Sequence, residues 1–507
     1  MLAWLALVAG LWSGNGHVPV APIAGDAPVA PLAAPLAAPN AVSQPTVSHP
    51  YLFTTIEIAL VLAGGTVWYF RHGADERWSR GTEWRAWKRK MTGQDVVFDG
   101  DHFNTNAVGH PLGGTAYYQI ARGNGLGPGP AFIASVLGST FWEYFVEIPE
   151  HPSLNDLILT PAGGAVIGET TYQLGRYLAR SGTGFGHCAG AFVFSPVASV
   201  NDRPLCRVHP GALLPWAKLG LSIGVNRAVF DSTFVREELA VAMGSEIVTQ
   251  RAYQRPGSGS VPVAPGQWSL LFADGRFGGD HLDGFWFHAQ TVWGGRYDRN
   301  YHIGGDDTDV PLATARPRGW GTMVGLGSSF DYRLRDLPRV HDRIASIGLG
   351  GPTFEFSARR SVLVRLSLSA QYAFAIVGSM AYRTQYALVL GQTIKTPLRD
   401  SGYYYAHGVV YAATLNVDLG PIGFTGDARG GWYWSINGAD PNQSTIRSDL
   451  LLRDSRLYLT GAMWTRPVFG PLRFGGAVEY VRRASYMSDA GFIGTEVNIL
   501  ATTAFGF

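Results

Sequence analysis

The sequence predicts a membrane protein that is all-β plus α: an antiparallel transmembrane β-barrel of about twelve strands, with an N-terminal helical domain plugging or capping it. Three observations lead there. From about Ala212 onward the side chains alternate with period two, in runs longer than the five or six residues usual for globular strands. The 507 residues include 65 glycines, 26 Phe, 22 Tyr and 15 Trp, with only 15% charged residues. Average proteins carry about 7% glycine and about 25% charge, so this surface suits contact with something other than water. The chain also ends on an alternating strand closed by Phe507.

Residues 1–16 open with Met1–Trp12, an apolar run of signal-peptide length that lacks a basic start and is too short to span a bilayer. Residues 17–50 are rich in Pro and Ala and read as a semi-rigid linker. Tyr51–Phe70 is long enough to cross a membrane, although Glu57, Gly64 and Gly65 suit a buried helix equally well. In Arg71–Lys90, seven Lys/Arg against three Asp/Glu accompany Trp78, Trp84 and Trp87. That composition fits a membrane interface or a solvated helix face.

Residues 51–180 form the helical domain. Apolar residues recur at three and four, giving helices near 111–122, 130–147 and 153–180. Ser153, with Asp156 three residues on, is a variant of the capping box. Glu143 and Glu147, four apart, are expected on one helix face. With His110, Asp101 and Asp156 they make a carboxylate/His set suited to acid–base work or metal binding, though in no recognised metal spacing. The competing reading is a buried polar network of Asn106, Arg122, Asn124, Glu143, Asn155 and Asp156 that ties helices into a plug. Gly123–Gly127 follows a helix and precedes Pro128, so it reads as a turn rather than a phosphate cradle.

The same stretch resembles the bacterial domain-of-unknown-function 3943 family over Trp78–Glu169. The elements that carry the resemblance come in order: an aromatic-Asp-x-Asp stretch ending at Asp101, Asn104-Thr105-Asn106, Gly109-His110-Pro111, Tyr117-Tyr118 and Ala121 to Gly125. Trp142-Glu143-Tyr144, Glu147, Pro152 to Asp156, Gly163-Gly164 and Gly168-Glu169 follow. Gly123 stands where the family usually has Ser. The resemblance implies an envelope protein of diderm bacteria with no assigned activity. Asp101, Asn104, Asn106, Arg122, Asn124, Trp142, Ser153, Asn155 and Glu169 are the candidate network or binding residues of this stretch. A fainter similarity of these helices to VanZ-like membrane helices transfers no mechanism.

Residues 181–211 are expected to connect the domain to the barrel and hold the two cysteines, Cys188 and Cys206. Paired in an oxidising periplasm, they would contribute roughly 3 kcal/mol.

The barrel occupies residues 212–507. Strands are expected near 213–225, 236–249, 267–276, 282–296, 319–333, 344–357, 362–377, 403–419, 422–437, 456–466, 472–483 and 495–507. In 403–419 the odd positions are mostly apolar or aromatic and the even ones small or polar; Gly420 and Pro421 then turn the chain into a matching run. Closure follows because an open sheet edge cannot sit in hydrocarbon. The stretches 250–266 and 297–318 fit this scheme poorly, as long loops at the periplasmic rim. The final strand, with Phe505 and Phe507 in register with Val497 and Ile499, resembles the closing strand of bacterial outer-membrane barrels, whose terminal Phe the assembly machinery reads.

The expected setting is the bacterial outer membrane, with the helical domain periplasmic or inside the barrel. The expected partners are the lipid bilayer, the assembly machinery, and a small-molecule or lipid ligand. A net charge of +2 gives no footprint for nucleic acid, and no cofactor or metal is expected. No nucleophile elbow, zinc-protease or Walker motif occurs, so the function classes left are a structural, pore or lipid- and envelope-handling barrel, and a membrane-embedded hydrolase or lipid-modifying enzyme.

Overall fold

The computed structural model describes residues 47–72, 84–93, 96–147, 150–201, 215–303, 317–337, 340–383, 402–436, 451–465, 472–487 and 490–506. The signal-like segment, nearly all of the linker, Trp78, Cys206 and Phe507 lie outside them.

Among the described residues, seven helices come first: α1 (Pro50–His72), α2 (Trp84–Met91), α3 (His110–Gly123), α4 (Pro128–Phe141), α5 (Leu154–Ser181), α6 (Phe185–Phe194) and α7 (Pro196–Asn201). One π-helical turn, Thr105–Gly109, leads into α3; another, Trp142–Val146, extends α4. Thirteen strands follow: β1 (Trp216–Phe230), β2 (Phe234–Val248), β3 (Gly257–Val263), β4 (Trp268–Gly278), β5 (His281–His302), β6 (Arg318–Leu337), β7 (Val340–Arg359), β8 (Leu363–Gly378), β9 (Tyr404–Asp418), β10 (Ile422–Ser435), β11 (Leu452–Thr465), β12 (Leu472–Met487) and β13 (Ala490–Gly506).

Every strand except β3 falls on a segment that the alternation marks. Each of these twelve pairs antiparallel with its neighbours, and β1 closes on β13 with Gly220 opposite Gly506 and Phe230 opposite Glu496. The result is a closed twelve-stranded barrel. Strand β3 accounts for the stretch that fitted poorly as a loop. It continues the line of β4 along an extended β5, which pairs with β4 over 281–291 and with β3 over 295–301. Gly420, at φ 95°, makes the turn between β9 and β10, a conformation that L side chains resist.

Alternation gives the wall two chemistries. The lumen face is charged and buried, and most of its ion pairs join strands far apart in the sheet. Arg456 meets Asp342 at 2.6 Å, Arg483 meets Asp342 at 2.8 Å and Glu496 at 2.7 Å, and Arg335 meets Glu496 at 2.8 Å and Glu238 at 2.6 Å. Arg276 meets Glu479 at 2.7 Å, and Arg365 meets Glu246 at 2.5 Å. Two cavities among these side chains measure only about 40 and 50 Å³. The outward face is apolar: Leu221, Ile223, Val225, Leu415, Leu459, Val478, Ile493 and Ile499 are exposed, with Trp432 and Trp434 toward one end of β10 and Phe424 toward the other.

The helical domain corrects the expectation of a plug or cap. Its core side chains Phe103, Leu159, Val166, Ile167 and Leu174 pack against Leu271, Phe287, Phe330, Ile347, Phe374 and Tyr405, all on the outward face of the wall. Cross-strand pairs settle which face this is. Ala289 opposes Phe330 on the outer side, while the neighbouring pair, His288 and Asp331, belongs to the lumen side. The lumen is filled by the barrel's own arginines and carboxylates, and the described helices lie outside it.

Within the domain, α5 is buried over most of its length and crosses α3 in backbone contact; a Cβ on Gly114 would stand 1.7 Å from the Thr160 carbonyl oxygen. Helices α6 and α7 occupy the expected connector and join the bundle, with Val197 against Gly123 and Ser195 against Gly175. Cys188 stands in α6. Helix α1 has 23 residues, about 35 Å at 1.5 Å per residue. It is largely exposed, and Glu57 and Gly65, two of the features that weighed against a lipid setting, are among its points of attachment. Glu57 accepts a hydrogen bond from Asn124 (2.8 Å), Gly65 lets the Trp142 ring approach, and Tyr69 donates to Glu150. The outer side of α4 is apolar as well, exposing Phe132, Ile133, Leu137 and Phe141.

Candidate functional site

The polar residues of the helical domain gather at two places. The first lies where α3 and α5 begin, against the outer wall at the start of β9. The extended segment 96–104 runs beside the N-terminus of α5: Val97 N–H donates to the Pro152 carbonyl (3.1 Å) and Leu154 N–H to the Val97 carbonyl (2.8 Å). This fixes Asp99, whose N–H donates to Asn155 Oδ1 at 3.0 Å.

Asn106, fully buried in the first π-turn, donates from Nδ2 to Asp99 Oδ1 (2.7 Å), Tyr405 Oη (2.7 Å) and Tyr403 Oη (3.1 Å). Tyr405 donates in turn to Asp99 Oδ1 (3.1 Å), and Tyr403 to the Asp101 carbonyl. Replacing Tyr405 by Phe removes a buried hydroxyl that both accepts and donates. The expected cost is about 1 kcal/mol, read as about fivefold faster amide hydrogen exchange over residues 99–103.

His110 begins α3 directly after this turn, and its Nε2 lies 3.4 Å from Asp156 Oδ1. Asp156 is buried one turn into α5, accepts from Asn155 Nδ2 (2.9 Å), and shares a hydrogen bond with Asp99. Glu143, buried in the second π-turn, accepts the Ser153 N–H at 2.9 Å and thereby satisfies an orphan donor at the α5 N-terminus. Ser153 is the expected N-cap, its Oγ accepting from Asp156 N at 3.3 Å. Ligand atoms of His110, Glu143 and Asp156 all lie within 4.8 Å of one another.

Glu147 follows the π-turn as its C-cap and leaves helical geometry there, though it stays close enough to Glu143 for the two charges to repel. Its carboxylate is not among the ligand atoms that converge with His110. It accepts instead from Trp142 Nε1 (2.8 Å), and the Glu147 carbonyl accepts from Lys90 Nζ (2.8 Å). Asn104 is exposed and makes no side-chain cap.

The second gathering lies toward the other end of α3. Arg122 pairs with Glu169 (2.8 Å), to which Tyr118 also donates (2.8 Å), and its guanidinium lies over the Tyr172 ring. Asn124 joins Glu57 and Asn201. The expected single network is therefore two. Asn106, Asn155, Asp156, Ser153 and Glu143 belong to the first, and Arg122, Asn124 and Glu169 to the second.

Sequence reasoning omits Asp99, Lys90, Tyr403 and Tyr405 from the site. The tyrosines lie some 300 residues from their partners, and the only signal at that point is the run Tyr403–Tyr405 opening a strand. At the far end of the chain, Phe505 faces outward on β13.

The family described as a domain of unknown function (DUF3943) matches residues 95–197, which hold both polar gatherings. No curated protein matches the chain in sequence. Among solved structures, the translocator domain of autotransporter NalP from Neisseria meningitidis is similar at 8% identity. The match covers 57% of this chain and 88% of that one, with a TM-score of 0.20. The anion-selective porin from Comamonas acidovorans (8% identity, 58% and 99% covered, TM-score 0.14) and OpdL from Pseudomonas aeruginosa (10%, 57% and 98%, 0.16) also match.

Proposed function

We propose that this is an outer-membrane barrel that does not conduct and whose helical domain, seated on the lipid-facing wall, handles a lipid or another envelope molecule. One observation carries the reading: the polar centre of Asp99, His110, Glu143 and Asp156 is built where helices meet the outward face of the wall, while the lumen is filled by ion pairs. A girdle of outward Trp and Phe around an apolar band, on a closed antiparallel barrel, supports the outer membrane as its location. The outer sides of α1 and α4 are apolar like the wall beside them, so the helices share its lipid. A polar centre held at that depth is expensive to maintain without a task.

Two measurements test this. Planar-bilayer recording of the purified full chain is expected to show no stepwise conductance, and porin-like steps would overturn the closed lumen. Mass spectrometry of envelope lipids is expected to differ between cells making the native chain and cells making Glu143→Gln. Identical lipid profiles in the two strains reject the handling role.

A further inference from the structure

We infer that His110, Glu143 and Asp156 form a binding site for one divalent transition cation. Their ligand atoms come from three separate elements, the start of α3, the π-turn after α4 and the first turn of α5, and converge within 4.8 Å. Ligands about 2.0–2.2 Å from a common ion stand roughly 3–4 Å apart, so only a small contraction separates the set from coordination geometry. His110 Nε2 and Asp156 Oδ1 are already at 3.4 Å.

A second observation comes from the same polar centre. Asn106 is 0% exposed, and its side-chain oxygen has no hydrogen-bond partner. That oxygen sits on the same amide carbon as the nitrogen that holds Asp99, which is itself bonded to Asp156. Buried acceptors are rarely left unpaired, and a metal-bound water is a donor suited to this one.

Backbone geometry fits as well. Both π-turns end or lie at a ligand, Thr105–Gly109 immediately before His110 and Trp142–Val146 around Glu143. Such turns are costly in helices and concentrate at functional positions. One imidazole with two carboxylates suits Zn²⁺ or Mn²⁺ better than Mg²⁺ or Ca²⁺, which favour all-oxygen shells.

The inference rests on the placement of these side chains and not on lipid handling, so the two fail separately. The full chain is refolded in detergent without metal, exposed to Zn²⁺, desalted and assayed by elemental mass spectrometry. About one equivalent per chain is expected to remain, and a native protein that keeps none overturns the site. Glu143 also supports α5, so Glu143→Gln is read only beside His110→Gln, which leaves the α5 cap intact. His110→Gln is expected to weaken Zn²⁺ by more than the roughly 10–100-fold that loss of an outer partner costs. Co²⁺ supplies a readout that folding alone does not move. Visible ligand-field bands in the native chain should change in His110→Gln while circular dichroism stays the same. Unchanged bands place the ion elsewhere and reject the assignment.

Discussion

Asp342→Ala is expected to destabilise the barrel by about 3–5 kcal/mol, the usual cost of removing one partner from a buried ion pair. Asp342 is the centre of an alternating chain of charge across the lumen: Asp454, Arg456, Asp342, Arg483, Glu496, Arg335, Glu238. Arg456 donates to it from Nη2 to Oδ1 at 2.6 Å and from Nε to both oxygens, at 3.0 and 3.1 Å, and Arg483 Nε donates to Oδ2 at 2.8 Å. Without it, Arg456 retains Asp454 and Arg483 retains Glu496, but both buried guanidinium groups lose the acceptor they share, and the donors it satisfied are left without a partner where water hardly reaches. The measurement is the denaturant or temperature midpoint at which the folded barrel loses its compact migration on a gel. Arg227→Ala is the control. Its pairing with Glu237, at 3.6 Å, is solvent-exposed on both sides, and exposed pairs contribute at most about 1 kcal/mol. A midpoint for Asp342→Ala no lower than the control's would mean that the charge chain does not hold the wall together.

The strands were legible because a barrel wall imposes one rule along its whole length: alternate residues face lipid and lumen. The register of β9 against β10 carries out the alternation read from Tyr403–Leu419, down to the turn at Gly420 and Pro421. The helices were legible too, since α3, α4 and α5 follow the apolar spacing and Ser153 caps as its spacing implies. The side of the wall on which they sit was not. A plug and an outer-wall domain both bury apolar faces against a barrel, so α5 alone does not choose between them. The discriminating signal was the chemistry of the other surfaces. A plug would have to meet Arg335, Arg456 and Glu496, whereas α4 turns Phe132, Ile133 and Leu137 outward. The site was half legible. His110, Glu143 and Asp156 were named, but nothing in WEYFV marks the π-turn after which Glu147 leaves helical geometry and turns its carboxylate to Trp142. Asp99 and the two tyrosines depend on a contact between chain segments about 300 residues apart, which no local pattern encodes.

Gly114→Val is expected to separate α3 from α5 and release the helical domain from the wall while the barrel itself stays folded. At this crossing a Cβ on Gly114 meets the Thr160 carbonyl oxygen at 1.7 Å and its carbon at 2.6 Å, and a Cβ on Gly164 meets the Gly114 backbone at 2.3 Å. Both obstacles are main chain, so no rotamer change relieves them and one helix has to move. Small residues at such crossings let the two backbones approach closely. Overpacking a tight contact costs about 1–3 kcal/mol, and a β-branched side chain against backbone belongs at or above the top of that range. Because His110 begins α3 and Asp156 lies in the first turn of α5, the same displacement pulls the polar centre apart. Limited proteolysis is expected to cut the variant within residues 110–181 under conditions that leave the native chain intact, with compact gel migration of the barrel retained. Gly113→Val, one residue away, has open space for its side chain and serves as the control. Equal proteolysis of the two variants would show that the loss comes from helix propensity at glycine positions rather than from the crossing, and would remove the backbone contact as the hinge on which the site depends.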